Sequence, residues 1–163
     1  MKVGFIGAGK VGCSLYDYFV HNNMPVTGCY TRTQAKVSGT EKQTQKIFTT
    51  SIDKILTKSD VLFLTSTRRC NSRSLGTSQN LSDTRKFICH CSGSLGSAVL
   101  SGIEETGAYG YSIHPMFHLE VKNCIRRFIT GSIQCGRNEE HIEEIMDLLS
   151  ACPNHIVGFK KRR

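Results

Sequence analysis

The sequence predicts an α/β protein with a mostly parallel, doubly wound sheet and flanking helices. Two observations lead to this fold class. Apolar runs such as Val61-Leu62-Phe63-Leu64 are continuous, which is typical of strands buried on both faces. These runs alternate along the chain with segments of helical periodicity, an order that favours parallel strands joined by helical crossovers.

The predicted elements follow in a regular order. Strands are predicted at 2–8, 25–30, 46–48, 60–65, 86–91 and 109–114, with Pro115 ending the sixth, and further β-like sequence lies at 125–135 and 155–159. Helices are predicted at 13–21, near 97–105 and at 138–151. A further helix is expected at Ile52, with Ser51 or Thr50 as its N-cap.

The composition indicates the cellular location of the protein and the state of its cysteines. The sequence has no apolar run long enough for a membrane span, and its apolar N-terminal stretch is too short and glycine-rich for a signal peptide. We therefore expect a cytoplasmic protein with no membrane partner. None of the eight cysteines has Cys-x-x-Cys spacing, so we expect reduced thiols rather than a zinc ribbon.

The formal charge of +8 is concentrated in two segments. Their seven basic residues are Arg68, Arg69, Arg73, Lys160, Lys161, Arg162 and Arg163. The remainder of the chain carries only +1. Since a basic patch for nucleic acid normally lies on an otherwise basic domain, we expect no nucleic-acid partner, and a basic RNA-binding loop stays an alternative.

A glycine-rich loop follows the first predicted strand and opens the first helix. It reads Gly7-Ala8-Gly9-Lys10-Val11-Gly12, the Gly-x-Gly-x-x-Gly pattern of a Rossmann-like dinucleotide site. Gly7 permits the tight turn, Gly9 lets a pyrophosphate approach the backbone, and Gly12 lets helix and strand pack closely. All six residues are predicted to bind the cofactor; the alternative is a glycine-rich turn without a ligand.

The end of the second strand indicates which cofactor. An NAD site carries Asp or Glu there, whereas this sequence has Thr31-Arg32-Thr33. A guanidinium and two hydroxyls suit a 2′-phosphate, which favours NADP over NAD. The alternative is that Arg32 is a solvated surface residue.

Four segments together resemble one protein family. They read MKVGFIGAGKVG, YTRT, FICHCSGSLGSAVL and YGYSIHPMF, in this order. They resemble Rossmann-like, NADP-binding oxidoreductases with an uncharacterised, all-helical second domain, which are similar to pyrroline-5-carboxylate, ketopantoate and deazaflavin-dependent NADP reductases. The resemblance implies a dinucleotide-binding domain at 1–159 and a basic tail at 160–163, with the helical domain absent. It also implies a small-molecule substrate of unknown identity, and a homodimer for the family, with this chain a monomer.

Two of the segments that carry the resemblance contain the ends of predicted strands, and open α/β sheets bind their ligands at the carboxyl ends of their strands. Ser92 and His114 are the candidate catalytic residues, as hydrogen-bond and proton donors to a carbonyl or imine being reduced. Thr65, Ser66 and Cys91 are expected to contact the cofactor. Two alternatives stay open: His114 is bonded only to the backbone, or a metal site forms from Cys89, Cys91, His114 and His118, whose spacing matches no closed zinc pattern.

The stretch after the fourth strand departs from the family. Related proteins follow this strand with a segment like VPDDAI, whereas this chain loses all periodicity after Thr65. One choice of synonymous codons for 66–79, read one base later, encodes VPDDAIPEVLGQV. We therefore hypothesise that 66–83 is translated out of frame; the alternative is a divergent loop.

These observations lead to one functional expectation. The chain is expected to be an NADP-binding domain of an oxidoreductase that transfers hydride to a small carbonyl or imine, and to be impaired or inactive as this short chain. The alternative is a non-catalytic dinucleotide-binding sensor module or a degraded gene product.

Overall fold

The computed structural model describes residues 1–33, 47–66, 85–92, 100, 103–116, 132–136, 141–153 and 155–159. The strands in these ranges are β1 Val3–Ile6, β2 Val26–Tyr30, β3 Phe48–Thr49, β4 Val61–Leu64, β5 Phe87–His90, β6 Tyr109–Met116, β7 Ser132–Gly136 and β8 His155–Phe159. The α-helices are α1 Lys10–His21, α2 Ile52–Lys58 and α3 Ile142–Ser150, with a short 3-10 helix at Glu104–Thr106.

All eight strands belong to one sheet, in the order β3-β2-β1-β4-β5-β6-β7-β8. Every neighbouring pair from β3 through to β6 is parallel, β7 is antiparallel to β6, and β8 is again parallel to β7. The chain reverses direction across the sheet between β1 and β4, which is where doubly wound sheets bind their ligands. The predicted fold class is confirmed.

Helices cover both faces of this sheet. The α1 face is an apolar cluster in which Phe5 and Phe63 of the sheet meet Phe19 of α1 and Leu149 of α3. The α2 face is a second cluster, in which Leu62 and Ile88 meet Leu56 of α2. Because successive strand residues point to opposite faces, continuous apolar strands supply both cores, as their sequence predicts.

The strand β6 corrects one prediction. Pro115 was expected to end the strand at His114, but β6 continues to Met116, and Pro115 pairs with Ile133 of β7. Among the described residues, the pairing with β5 ends at Ser112, and the later residues of β6 pair only with β7. A proline is tolerated at such a position because its missing N–H can fall on the unpaired side.

Several predictions lie wholly or partly outside the described residues. They are the out-of-frame stretch apart from Ser66, most of the helix predicted near 97–105, the β-like sequence at 125–131, His118 and the basic tail. In the parts of the chain that are described, no helix is long and apolar enough to cross a membrane.

Candidate dinucleotide-binding site

The turn after β1 needs glycine at its first position. Gly7 has φ +123°, a conformation that side chains rarely adopt, and its N–H donates to the carbonyl oxygen of Tyr30 at the end of β2 over 3.0 Å. A Cβ on Gly7 would lie 2.7 Å from the backbone nitrogen of Ser66. The turn is therefore packed tightly between the ends of β2 and β4.

The other two glycines of the loop have opposite surroundings. A Cβ on Gly12 would overlap the carbonyl oxygen of Gly7 and the hydroxyl of Thr65, so α1 starts in close contact with the turn. Among the residues that the structure describes, none has an atom within 4 Å of a Cβ placed on Gly9. Gly9 is exposed and is the N-cap of α1. The sequence thus leaves open space where a pyrophosphate would approach the backbone.

The first turn of α1 suits an anion. It carries no acidic residue, and its N–H groups lie at the positive end of the helix dipole. Lys10 is exposed there, and Val11 is partly buried against the α1 face. Ala8 is buried, and its carbonyl oxygen accepts a hydrogen bond from the Cys13 thiol at 3.6 Å. The loop can therefore offer backbone donors and one cation to a diphosphate.

Thr65 braces this loop from the end of β4. Its hydroxyl donates to the carbonyl oxygen of Gly7 at 2.7 Å, and its backbone N–H donates to the carbonyl oxygen of Ile6 at 3.0 Å. Ser66 follows, partly buried beside Gly7. The structure therefore brings together Thr65, Ser66 and the glycine loop, although these residues are far apart in the sequence.

The end of β2 presents the residues that favoured NADP. Thr31 is buried, its N–H donates to the carbonyl oxygen of Thr49 at 2.9 Å, and its hydroxyl lies 3.3 Å from the N–H of Thr33. Arg32, between them, is exposed. The local hydrogen bonds fix the backbone of this segment and leave the guanidinium at the surface, able to reach an anion.

A second group of residues lies directly after β5 and in the part of β6 beyond its pairing with β5. His114 Nδ1 lies 3.1 Å from the carbonyl oxygen of Cys91, and both His114 and Ser92 are partly buried. The side chain of Cys91 packs against the α1 face, where burial raises the pKa of its thiol to about 12. Only the carbonyl group of Cys91 therefore takes part in this polar arrangement.

His90 is a further candidate for the site, and it is not among the site residues that the sequence predicts. It is the last residue of β5 and is only 1% exposed, and its Nδ1 lies 3.4 Å from the N–H of Ser92. The pKa of His90 is lowered, first by burial and then by His114. A polar residue ending the otherwise apolar strand Phe87-Ile88-Cys89-His90 was the available signal.

Of the alternative metal ligands, Cys89, Cys91 and His114 lie in the described ranges, and they do not form a metal site there. Cys89 points into the α1 face, and within the described ranges no group of three or more His, Cys, Asp or Glu side chains could hold a metal ion. His118 lies outside those ranges.

The fold and the glycine loop define a Rossmann-like class of protein. Residues 1–115 match the Rossmann-like domain family, and the chain belongs to that family. No curated protein matches the sequence significantly.

Solved structures share the fold. A pyrroline carboxylate reductase from Plasmodium falciparum with NADP bound is 18% identical, with a TM-score of 0.68 over 98% of this chain and 58% of that chain. An imine reductase from Aspergillus terreus in complex with NADPH4 and a dibenzazepine is 14% identical, with a TM-score of 0.75 over 96% and 55%. A 3-hydroxyisobutyrate dehydrogenase from Mycobacterium tuberculosis is 15% identical, with a TM-score of 0.75 over 96% and 53%. The chain therefore spans little more than half the length of these proteins.

Proposed function

We propose that this chain binds NADP(H) along the carboxyl edge of its sheet. The observation that carries the proposal is the glycine loop: Gly7 and Gly12 are packed against their surroundings, while no described residue lies within 4 Å of a Cβ placed on Gly9. A pyrophosphate needs a tightly packed turn and room above the backbone of Gly9. A turn with a purely structural role would need only the packing. The loop and the first turn of α1 would hold the pyrophosphate.

Arg32 would select the phosphorylated cofactor. It is exposed beside the buried Thr31, at the strand end where an NAD site carries an acidic residue. A guanidinium binds a phosphate through charge-assisted, bidentate hydrogen bonds. The pyrroline carboxylate reductase from Plasmodium falciparum holds NADP and the imine reductase from Aspergillus terreus holds NADPH4, which supports the same choice.

The proposed reaction is the reduction of a small carbonyl or imine. The cofactor supplies the hydride when bound. Because β5 and β6 lie beyond β4 in the sheet, on the side away from β2, Ser92 and His114 would serve the nicotinamide end. Ser92 would donate a hydrogen bond to the substrate, and His114, as an imidazolium with a proton on each ring nitrogen, would supply the proton from Nε2, since its Nδ1–H is held by the carbonyl oxygen of Cys91.

Catalysis is proposed for a protein that includes a second, helical domain. In the family that the sequence resembles, such a domain forms one wall of the substrate cleft. Closing a cleft orients the substrate and excludes water, and both effects contribute much of the rate. We therefore expect residues 1–163, tested on their own, to bind cofactor weakly and to oxidise no NADPH with small carbonyls or imines.

A substrate panel tests this proposal. NADPH oxidation is followed at neutral pH with cyclic imines, keto acids and aldehydes, for this chain and for a version with the 66–83 frame restored and the helical domain attached. We expect turnover from the extended version only. Equal turnover by the short chain would show that its own residues complete the site, and no turnover from either would refute the proposed reaction.

A further inference from the structure

Two histidines hold the same two-residue turn. The turn consists of Cys91 and Ser92, directly after β5. The N–H of Ser92 lies 3.4 Å from Nδ1 of His90, and the carbonyl oxygen of Cys91 lies 3.1 Å from Nδ1 of His114. The imidazole of His90 therefore contacts the N–H of Ser92, and the imidazole of His114 contacts the carbonyl oxygen of Cys91.

These contacts require opposite tautomers. A backbone N–H can only donate, so Nδ1 of His90 must accept and its proton must be on Nε2. A carbonyl oxygen can only accept, so Nδ1 of His114 carries a proton. The hydrogen bond from the N–H of Ser92 to Nδ1 of His90 thus exists only while His90 is neutral. The hydrogen bond from Nδ1 of His114 to the carbonyl oxygen of Cys91 does not need a neutral ring.

The surroundings of His90 favour the neutral form. It pairs with Leu64 of β4 on one side and Ser112 of β6 on the other, and Leu100 and Ile103 pack on the same face of the sheet. The titratable groups nearby are His114 on β6 and, pointing to the opposite face, the thiols of Cys89 and Cys91.

The second nitrogen of His90 adds to the cost of charging it. Within the part of the chain that the structure describes, its Nε2 is buried without a hydrogen-bond partner. Protonating Nδ1 would place a charge in this environment and set an N–H against the N–H of Ser92. His90 can therefore take up a proton only when the turn opens.

We propose that His90 is a positioning residue, which in its neutral form holds the Cys91–Ser92 turn so that Ser92 and His114 face the nicotinamide end of the cofactor, and which releases the turn when protonated. The role assigned to Ser92 and His114 rests on the proposed function. The hold on the turn itself rests on the two backbone contacts and does not depend on any ligand.

A matched pair of substitutions tests the proposal. In His90→Asn the side-chain oxygen occupies the position of Nδ1, and asparagine commonly accepts from the N–H two residues on, as His90 does here. In His90→Gln the amide reaches the position of Nε2 instead, so the N–H of Ser92 loses its acceptor. Neither amide titrates, so both variants lack the proposed pH response.

The dissociation constant of NADPH is measured between pH 5.5 and 7.5. We expect binding by the unmodified protein to weaken severalfold more than binding by His90→Asn as the pH falls, with about tenfold as the upper limit, since one proton is taken up when the turn opens. The 2′-phosphate titrates equally in both experiments and cancels. His90→Gln should bind weakly throughout. Equal pH slopes for the unmodified protein and His90→Asn, or equal losses in the two variants, would overturn the proposal.

A second measurement needs no cofactor. Nitrogen-15 NMR of the imidazole rings at pH 7 should show His90 protonated at Nε2 and His114 protonated at Nδ1, and the Ser92 amide should shift as His90 titrates. A proton on Nδ1 of His90, or an unmoved Ser92 amide, would refute the hold on the turn. If the unmodified protein bound no NADPH at any pH, the proposed function would fail, and the NMR result would still decide the inference.

Discussion

The hydroxyl of Thr65 donates a hydrogen bond of 2.7 Å to the carbonyl oxygen of Gly7 and so ties the end of β4 to the turn after β1. The contact joins two segments 58 residues apart. Gly12 packs against the same two groups, so the hydroxyl, the turn and the start of α1 form one unit. The shape of the glycine loop therefore depends on β4 as well as on its own glycines.

Thr65→Val should weaken this unit. The change keeps the shape of the side chain but places a methyl group against the Gly7 carbonyl, and losing one such bond costs about 1 kcal/mol of stability. We expect roughly fivefold weaker NADPH binding by calorimetry, with Thr65→Ser near the original affinity. Thr57→Val is the control, because it removes an exposed 2.7 Å bond to the Asp53 carbonyl away from the loop. Equal effects of Thr65→Val and Thr57→Val on binding would contradict a brace specific to the loop.

Arg32→Ala should change cofactor preference. Losing the contact to the 2′-phosphate should weaken NADPH binding by roughly ten- to a hundredfold, about 1.5–3 kcal/mol, and leave NADH binding almost unchanged. Lys54→Ala, which removes another exposed cation, controls for the change in net charge. The two cofactors are titrated in parallel, and equal losses for NADPH and NADH would refute the assignment.

Lys86 should contribute to the stability of the fold through its contacts at the end of α2. It is 5% exposed, and its ammonium donates to the carbonyl oxygens of Leu56 and Ser59 at 2.7 and 2.9 Å, at the end of α2. Lys86→Met should lower the free energy of unfolding by about 2 kcal/mol, since two carbonyls lose a charged donor. Lys58→Met, an exposed lysine of the same helix, should cost little. Similar losses in urea unfolding would show that Lys86 does not hold the helix end.

The Cys91 thiol should make stability depend on alkaline pH. Its pKa is raised by burial from 9.0 to about 12. The contribution of the thiol is therefore present in full below pH 9 and is lost as the pH rises toward 12, because the unfolded chain ionises first. Between pH 8 and pH 10 the unmodified protein should lose about 1 kcal/mol more than Cys91→Ala, each compared with itself. Identical losses in urea unfolding would contradict a buried thiol at this position.

The sequence predicts the architecture well because local patterns determine it. Continuous apolar strands and the glycine loop lead to the doubly wound sheet, and β8 lies at the predicted positions. The helix α1 starts at Lys10, whereas the predicted helix starts at Cys13. Gly12, predicted as the last residue of the loop, lies inside the helix, where it packs closely against the turn after β1. The prediction that Pro115 ends the strand was wrong, because beyond Ser112 the described part of the sheet pairs β6 with β7 alone.

The candidate site was predictable only in part. The motifs indicate the glycine loop and the strand ends, but the Thr65 hydroxyl bond and the grip of His90 on Ser92 are contacts made through the fold. Such contacts have no fixed sequence spacing, since they depend on which strands become neighbours. Burial of His90 likewise follows from the packing of other segments over β5 and not from its own motif.

The most direct test of the central claim is calorimetric titration of NADPH into the unmodified chain and into Gly9→Val. At its Cβ the added side chain meets no atom of the described part of the chain within 4 Å, so the fold should survive, and circular dichroism and melting should confirm this. The new side chain fills the space proposed for the pyrophosphate. We predict measurable, weak NADPH binding by the unmodified chain and none by the folded variant. Undiminished binding by Gly9→Val would contradict the account, because the cofactor would then not lie over the glycine loop.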